Sequence, residues 1–403
     1  MGLNDIPMAY RLHIGFFGRR NAGKSSVVNA VTGQNLAVVS DVKGTTTDPV
    51  YKSMELLPLG PVVIIDTPGF DDDGALGEMR VQKTREVLQK TDVAVLVVDA
   101  CAGMGACEEE LEELFRESGI PWLRVFNKSD LLEQVPGDTE REIYVSALTK
   151  NRIYELKEKI GALAPAKEDR ARLAADLIRP SELAVLVTPI DSAAPKGRLI
   201  LPQQMVLRDL LDADAAVVVV RENLLAETLQ KLNTPPALVI TDSQVFKQVA
   251  ETVPQEVPLT SFSILMVRYK GLLGEAVRGA AAMRTLEDKD RVLIAEGCTH
   301  HRQCGDIGTE KLPRWLERYT GKHLRYEFCS GTEFPMDLSE YKLILHCGGC
   351  MLNDREMRAR MGRASGQGIP MTNYGVAIAC INGILERSIA MFPHLAGAEN
   401  GKE

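Results

Sequence analysis

Gly18-Arg19-Arg20-Asn21-Ala22-Gly23-Lys24-Ser25 follows directly on the apolar run Leu12–Phe17 and leads into Ser26–Val31, which reads as the start of a helix. The stretch fits G-x-x-x-x-G-K-[ST], in which a strand turns through glycines into a helix. Backbone N–H groups of such a turn, backed by the helix N-terminus, cradle phosphate oxygens. Gly18, Ala22, Gly23 and Ser26 then belong to the cradle. Lys24 reaches the β- and γ-phosphates, and Ser25 binds Mg²⁺. An eight-residue match also arises by chance; the strands that follow remove the ambiguity.

Further apolar runs lie at Pro61–Ile65, Val93–Val98 and Trp122–Phe126, separated by polar, helix-prone stretches such as Gly77–Lys90 and Glu108–Glu117. This alternation predicts a mostly parallel sheet with helices on both faces. Asp66-Thr67-Pro68-Gly69 closes one strand, where Asp66 meets the Mg²⁺ shell and Gly69 borders the phosphates. Asn127-Lys128-Ser129-Asp130 closes another. Asp130 can accept hydrogen bonds from the N1–H and 2-amino group of guanine, a pattern adenine lacks. Ser146-Ala147 closes a third and supports the base edge. Each group sits at a strand's carboxyl end, where open α/β sheets bind ligands. Order and spacing are those of a GTPase that binds GTP or GDP. Gly44-Thr45-Thr46-Thr47-Asp48 occupies the position of its first switch loop. Lys24, Ser25 and Asp66 are expected catalytic residues.

The pattern pauses at Ala164-Pro165-Ala166-Lys167-Glu168-Asp169-Arg170, which reads as a linker. A second α/β block follows, with strands near Leu183–Thr188, Ala215–Val220 and Ala237–Thr241. After a break at Pro254–Ser263, a third has strands at Arg291–Ala295, Leu324–Phe328, Lys342–Leu345 and near Pro370–Asn373. The expected architecture is α/β with three domains, at 1–165, 172–262 and 263–395, and no internal repeat is visible. The 403 residues carry a formal charge of −8, which argues against nucleic acid as the main partner. No apolar run approaches the roughly 18 residues of a membrane span. The first residues do not resemble a secretory leader. The expected location is cytoplasmic, where eight cysteines are core residues or metal ligands more readily than disulfides.

Cys298-Thr299-His300 and His346-Cys347-Gly348-Gly349-Cys350 each follow a strand-like run. Adjacent parallel strands would bring the three cysteines together, with a helix from Met351 to Met361 beginning just beyond. Buried unligated cysteines, a redox dithiol, a structural Cys₃His zinc site and an iron–sulfur site all compete for this pattern. Three thiolates with one weaker ligand would leave an iron open.

The GTPase region is similar to the tRNA-modification GTPase MnmE and the ribosome-assembly GTPase Era. That resemblance implies that Thr46, with Thr45 beside it, closes on Mg²⁺ and the γ-phosphate, and that Asn21 ligates an activating K⁺. Phe70 stands where Ras-like proteins carry a water-orienting Gln, so intrinsic hydrolysis is expected to be slow. C-x-H and H-C-x-x-C, with 45 residues between the histidines, resemble the cluster-binding signature of the HydF family of [FeFe]-hydrogenase maturation GTPases. Asp41–Glu55, Ala194–Ile200 and Pro370–Val376 also read like that family. The resemblance implies a dimerisation domain in the middle block and a homodimer or tetramer. It places a [4Fe–4S] cluster on Cys298, Cys347 and Cys350, with His300, His346 or Asp306 as candidate fourth ligand. Gly305 stands where some members carry a carboxylate, and Cys304 is an additional thiol. The family's role is to scaffold and carry a di-iron precursor with CO and cyanide ligands. That precursor is built with the radical-SAM enzymes HydE and HydG and passed to the apo-hydrogenase HydA. The alternative is a tRNA-modification or ribosome-assembly GTPase with structural zinc.

Overall fold

The computed structural model describes residues 7–33, 49–57, 59–69, 76–164, 173–189, 199–297, 306–331 and 333–392, with only the backbone at 76–80. Two compact units result, Met1–Glu168 and Asp169–Glu403. Thr45, Thr46, Phe70, Cys298, His300, Cys304 and Gly305 lie outside the described residues, as do Gly44, Thr47 and Asp48, most of the linker and most of Ala194–Ile200.

The first unit runs β1 (Leu12–Phe17), α1 (Lys24–Thr32), β2 (Val50–Leu56), β3 (Gly60–Asp66), α2 (Leu76–Leu88), β4 (Val93–Asp99), α3 (Ala106–Glu117), β5 (Trp122–Asn127), β6 (Glu142–Tyr144) and α4 (Ile153–Leu163). Its six-stranded sheet has the order β2-β3-β1-β4-β5-β6. Only β2 is antiparallel to its neighbour. Strands buried on both faces need apolar residues at every position, and β4 supplies them as Val-Ala-Val-Leu-Val-Val. Alternate residues feed two cores. Ile14, Phe16, Val95 and Val97 pack with Val27 and Leu156 of the helices on one face. Phe17, Ala94, Leu96 and Val98 pack with Leu111 and Phe115 on the other. Each fully buried Val, Leu, Ile or Phe side chain among them contributes about 1.5–3 kcal/mol. No apolar run announced β2, because this edge strand leaves most of its residues at least partly exposed.

The second unit holds two four-stranded parallel sheets. The first comprises β7 (Leu183–Val187), α5 (Leu201–Asp212), β8 (Ala216–Val220), α6 (Leu225–Lys231), β9 (Leu238–Thr241), α7 (Phe246–Thr252) and β10 (Leu259–Ser261), followed by α8 (Phe262–Tyr269) and α9 (Leu273–Ala281). The second comprises β11 (Arg291–Glu296), α10 (Leu312–Thr320), β12 (Arg325–Ser330), β13 (Leu343–His346), α11 (Asp354–Gly366) and β14 (Met371–Asn373), followed by α12 (Tyr374–Ile381) and α13 (Leu385–Ile389). Their orders are β8-β7-β9-β10 and β12-β11-β13-β14, which is one topology used twice. Strand β10 falls inside the stretch read from sequence as a break; it is three residues long, too short for a pattern.

Contrary to the sequence expectation, a repeat is present. Residues 258–273 and 370–385 align without a gap, beginning Pro-Leu-Thr-Ser-Phe against Pro-Met-Thr-Asn-Tyr. Ser261 and Asn373 cap α8 and α12 alike, accepting from Ile264 N at 3.2 Å and Val376 N at 2.8 Å. Both helices end on a glycine with positive φ, Gly271 at 72° and Gly383 at 69°, the left-handed stop that glycine adopts without strain. The copies clasp each other. Helix α9 packs along β14, and α13 packs along β10. A Cβ on Gly279 would lie 2.1 Å from the Met371 carbonyl oxygen. Ser263 Oγ accepts from Asn373 Nδ2 at 3.0 Å and from Gly375 N at 3.2 Å, so corresponding helix starts touch.

Candidate nucleotide and cysteine sites

The phosphate loop is shaped by what its glycines allow. Gly18 has φ of 140°, and a Cβ there would lie 2.2 Å from the Val97 carbonyl oxygen. Gly23 has φ of 88°, and its Cβ would lie 2.2 Å from Asn127 Nδ2. Lys24 is buried, its Nζ donating to the carbonyls of Gly18 at 2.8 Å and Arg19 at 2.9 Å. The side chain therefore arches over the loop it must serve. Asn21, with φ of 62°, is exposed at the turn.

Ser25 Oγ donates to Asp66 Oδ2 at 3.1 Å. The other carboxylate oxygen, Asp66 Oδ1, is buried and has no hydrogen-bond partner among the described residues. Burial raises the Asp66 pKa, while Ser25 and Lys24 oppose that rise. A buried, orphaned carboxylate oxygen beside a serine hydroxyl fits a hard cation such as Mg²⁺. Ser26 continues α1, and Gly69 approaches the loop so closely that a Cβ would lie 2.9 Å from Arg20 Cα.

Asn127 ties the Ser146-Ala147 turn to the phosphate loop. Its Nδ2 donates to the Ala22 carbonyl at 3.2 Å, and its Oδ1 accepts from Ala147 N at 3.0 Å. Lys128 Nζ bonds Asp99 Oδ2 at 2.5 Å. Asp130 is exposed at the rim, whereas Ser146 is buried, its Oγ accepting from Thr149 N at 3.1 Å. One supporting contact was not legible in the sequence. Arg19 Nη2 donates at 2.5 Å to the buried Glu108 of α3, joining the loop to a distant helix.

In the second unit, β11 and β13 are adjacent and parallel, with Ala295 opposite His346. They are the central strands; the chain passes from β11 to β12 on one side and from β13 to β14 on the other. Their carboxyl ends therefore form a topological switch point, the ligand-binding crevice of open α/β sheets. Cys347 N donates to the Ala295 carbonyl at 2.9 Å. Cys347 Sγ accepts from Gly297 N at 3.0 Å and Gly349 N at 3.4 Å. Amide donors aimed at sulfur stabilise a thiolate and suit a thiolate-held cluster. Burial raises the Cys350 pKa, and the nearby Lys270 ammonium opposes that rise. Cys298, two residues beyond β11, lies outside the described residues, and among the described residues no three His, Cys, Asp or Glu side chains form a metal-binding group.

His346 is spoken for. Nδ1 bonds the Cys347 carbonyl at 2.8 Å, and Nε2 faces Arg360 Nη1 at 3.1 Å. Burial first, then Arg360, pushes its pKa down to about 3, so the ring is neutral. Neither nitrogen is open to a metal in this arrangement. Arg360 also bonds Glu356 Oε1 at 2.8 Å and the Gly331 carbonyl at 2.5 Å. Asp306 caps the following helix, its Oδ2 accepting from Thr309 N at 2.8 Å and Thr309 Oγ1 at 2.9 Å. The helix expected from Met351 starts only at Asp354, because Asn353 is its cap and Leu352 N closes a turn on the Gly349 carbonyl at 3.0 Å. Cys101 is exposed and Cys107 buried, while Cys329 and Cys380 are half-buried.

The chain matches three family models: a 50S ribosome-binding GTPase over residues 13–128, a hydrogen maturase F dimerization domain over 173–271 and a hydrogen maturase F tetramerization domain over 274–391. It is 33% identical over 154 residues to the tRNA modification GTPase MnmE of Chromobacterium violaceum, covering 37% of this chain and 34% of that one. It is 32% identical over 143 residues to the GTPase Der of Kosmotoga olearia, covering 33% and 32%. The chain thus spans about a third of the length of these curated relatives. Aquifex aeolicus Era, solved as a variant with GDP and AlF4⁻, matches at 18% identity and TM-score 0.35 over 52% of this chain and 92% of that one. The two hydrogen maturase F segments together cover more than half of the residues. With a GTPase domain followed by these two segments in order, the chain belongs to the hydrogen maturase F (HydF) family.

Proposed function

We propose that the protein is a GTP-hydrolysing scaffold that carries the di-iron precursor of [FeFe]-hydrogenase and delivers it to the apo-hydrogenase HydA, in concert with HydE and HydG. The observation that carries this reading is the pair of sites in one HydF-family chain: a built phosphate loop, and a two-cysteine turn at a sheet switch point with amides aimed at Cys347 Sγ. GTP or GDP binds with its phosphates on Gly18, Asn21, Ala22, Gly23, Lys24, Ser25 and Ser26. Mg²⁺ sits on Ser25, with Asp66 in its shell. Thr45 and Thr46 close on the metal and γ-phosphate, beside Gly69. Guanine lies against Asn127, Lys128, Asp130, Ser146 and Ala147. K⁺ on Asn21 speeds hydrolysis.

Cys298, Cys347 and Cys350 would hold the [4Fe–4S] cluster, which when bound supplies one iron with an exchangeable position. His346 is engaged on both ring nitrogens and Asp306 through Oδ2; His300 remains the third candidate for that position. The proposed domain division is 1–165, 172–262 and 263–395. Self-association through the middle block is supported by the edge strand β8, Ala-Val-Val-Val-Val, with Val219 exposed and Leu211 and Leu224 exposed nearby.

Anaerobically purified protein should be brown and absorb broadly near ~400 nm. Serine at Cys298, Cys347 or Cys350 should remove most of the iron and the ability to activate HydA. A colourless, zinc-containing protein, or full iron in all three variants, would reject the scaffold reading.

A further inference from the structure

Lys270 has none of its side chain exposed and directly follows α8, in the first of the two copies. Its Nζ nevertheless donates to the Leu352 carbonyl at 2.8 Å and to Asp354 Oδ1 at 3.2 Å, both just beyond Cys350 in the second copy. Taking an ammonium out of water costs several kcal/mol, so its position has to be matched by compensating groups. Burial pulls the Lys270 pKa below the ordinary lysine value, and Asp354, then Cys350 and Cys347, oppose that fall. The aligned residue of the other copy is Asn382. Its Nδ2 turns back to Ile378 O of its own helix, at 2.9 Å. The turns served also differ: after β9 the chain reads Asp242-Ser243-Gln244, and after β13 it reads Cys347-Gly348-Gly349-Cys350. The shared architecture therefore does not itself require a cation here. The cation occurs in the copy whose partner turn bears thiols.

We propose that Lys270 is the fixed counter-cation and positioning residue of the cysteine site, anchoring the turn after Cys350 and favouring the more negative, reduced state of a bound iron–sulfur cluster. This rests on reading that site as a cluster site. Net charge around a cluster is one of the determinants of its potential, and a fixed charge acts strongly in a poorly hydrated interior. The lysine belongs to the segment matched by the dimerization domain. The cysteines it faces belong to the segment matched by the tetramerization domain.

The test uses the full-length protein, reconstituted anaerobically with iron and sulfide, as wild type, Lys270→Met, Lys270→Arg and Asp354→Asn. Iron content, EPR-monitored midpoint potential and melting of the unloaded protein are measured. Lys270→Met should lower the midpoint potential, and Lys270→Arg should restore most of that loss. Asp354→Asn should raise it, because the lysine charge is then less neutralised. Asp354 is 38% exposed, so this variant decides the matter even if Lys270→Met fails to fold. Unmoved potentials at wild-type iron content, or a fall in Asp354→Asn, overturn the proposal alone. A wild type that binds no iron rejects the cluster reading and this proposal with it.

Discussion

The nucleotide site and the cysteine site both sit at the carboxyl ends of parallel strands, yet they are held in opposite ways. The first is largely main chain: glycines at φ 140° and 88° turn the loop, Asn127 fastens it through one carbonyl and one amide, and the Arg19–Glu108 ion pair adds to them. The second is built on sulfur and stands on buried ions, Lys270 and the Arg360–Glu356 pair that meets His346. A main-chain site keeps its shape when a ligand-facing side chain is lost. A site resting on buried charge does not, since an uncompensated buried ion costs about 3–5 kcal/mol.

Three substitutions press on that contrast. Lys24→Ala should weaken GTP and GDP by two to three orders of magnitude, about 3–4 kcal/mol, as expected for losing a buried charge-assisted contact. Calorimetric titration measures it. The nucleotide-free protein should melt nearly as before; a large drop would show that the loop depends on this lysine. Arg360→Met should destabilise the second unit by about 3 kcal/mol, because Glu356 is left buried without its partner. Chemical denaturation monitored on that unit's transition would show it, and an unchanged midpoint would remove the basis of the comparison. The smallest effect belongs to Asn21. Replacing Na⁺ by K⁺ at matched ionic strength should raise GTP turnover several-fold, an effect Asn21→Ala abolishes; equal rates in both salts would discard the potassium role.

Legibility in the sequence follows the same division. Gly18 and Gly23 were readable because backbone geometry imposes both residue type and spacing, and Asp66, Asn127 and Ser146 because each stands at the carboxyl end of a strand of one sheet. The buried strands β1 and β4 were readable because each is apolar but for one residue, His13 in β1 and the terminal Asp99 in β4. Cys347 and Cys350 were readable as chemistry. Their supports were not, since Lys270 lies 82 positions from the Leu352 carbonyl it binds and Arg360 looks like any helical arginine. β2 and β10 escaped because one is half-exposed and the other is three residues long. The repeat was hidden in the same way: only residues 258–273 and 370–385 retain a common pattern, and elsewhere the copies share topology alone.

The exchanged helices constrain how the second unit comes into being. As the chain leaves the ribosome, α9 emerges with Leu273, Ala276, Val277 and Ala280 destined for burial, yet β14, the strand it packs along, is still to be translated. β10 waits in turn for α13, near the end of the described chain. Neither copy can finish its core alone, so the unit's decisive contacts form late and over long sequence separations. Such topologies fold slowly and leave apolar surface open in the interval. The same clasp made between two chains instead of within one would be a domain swap. The difference in sequence between the two copies outside residues 258–273 and 370–385 lowers the chance that a strand of one is accepted by the sheet of the other.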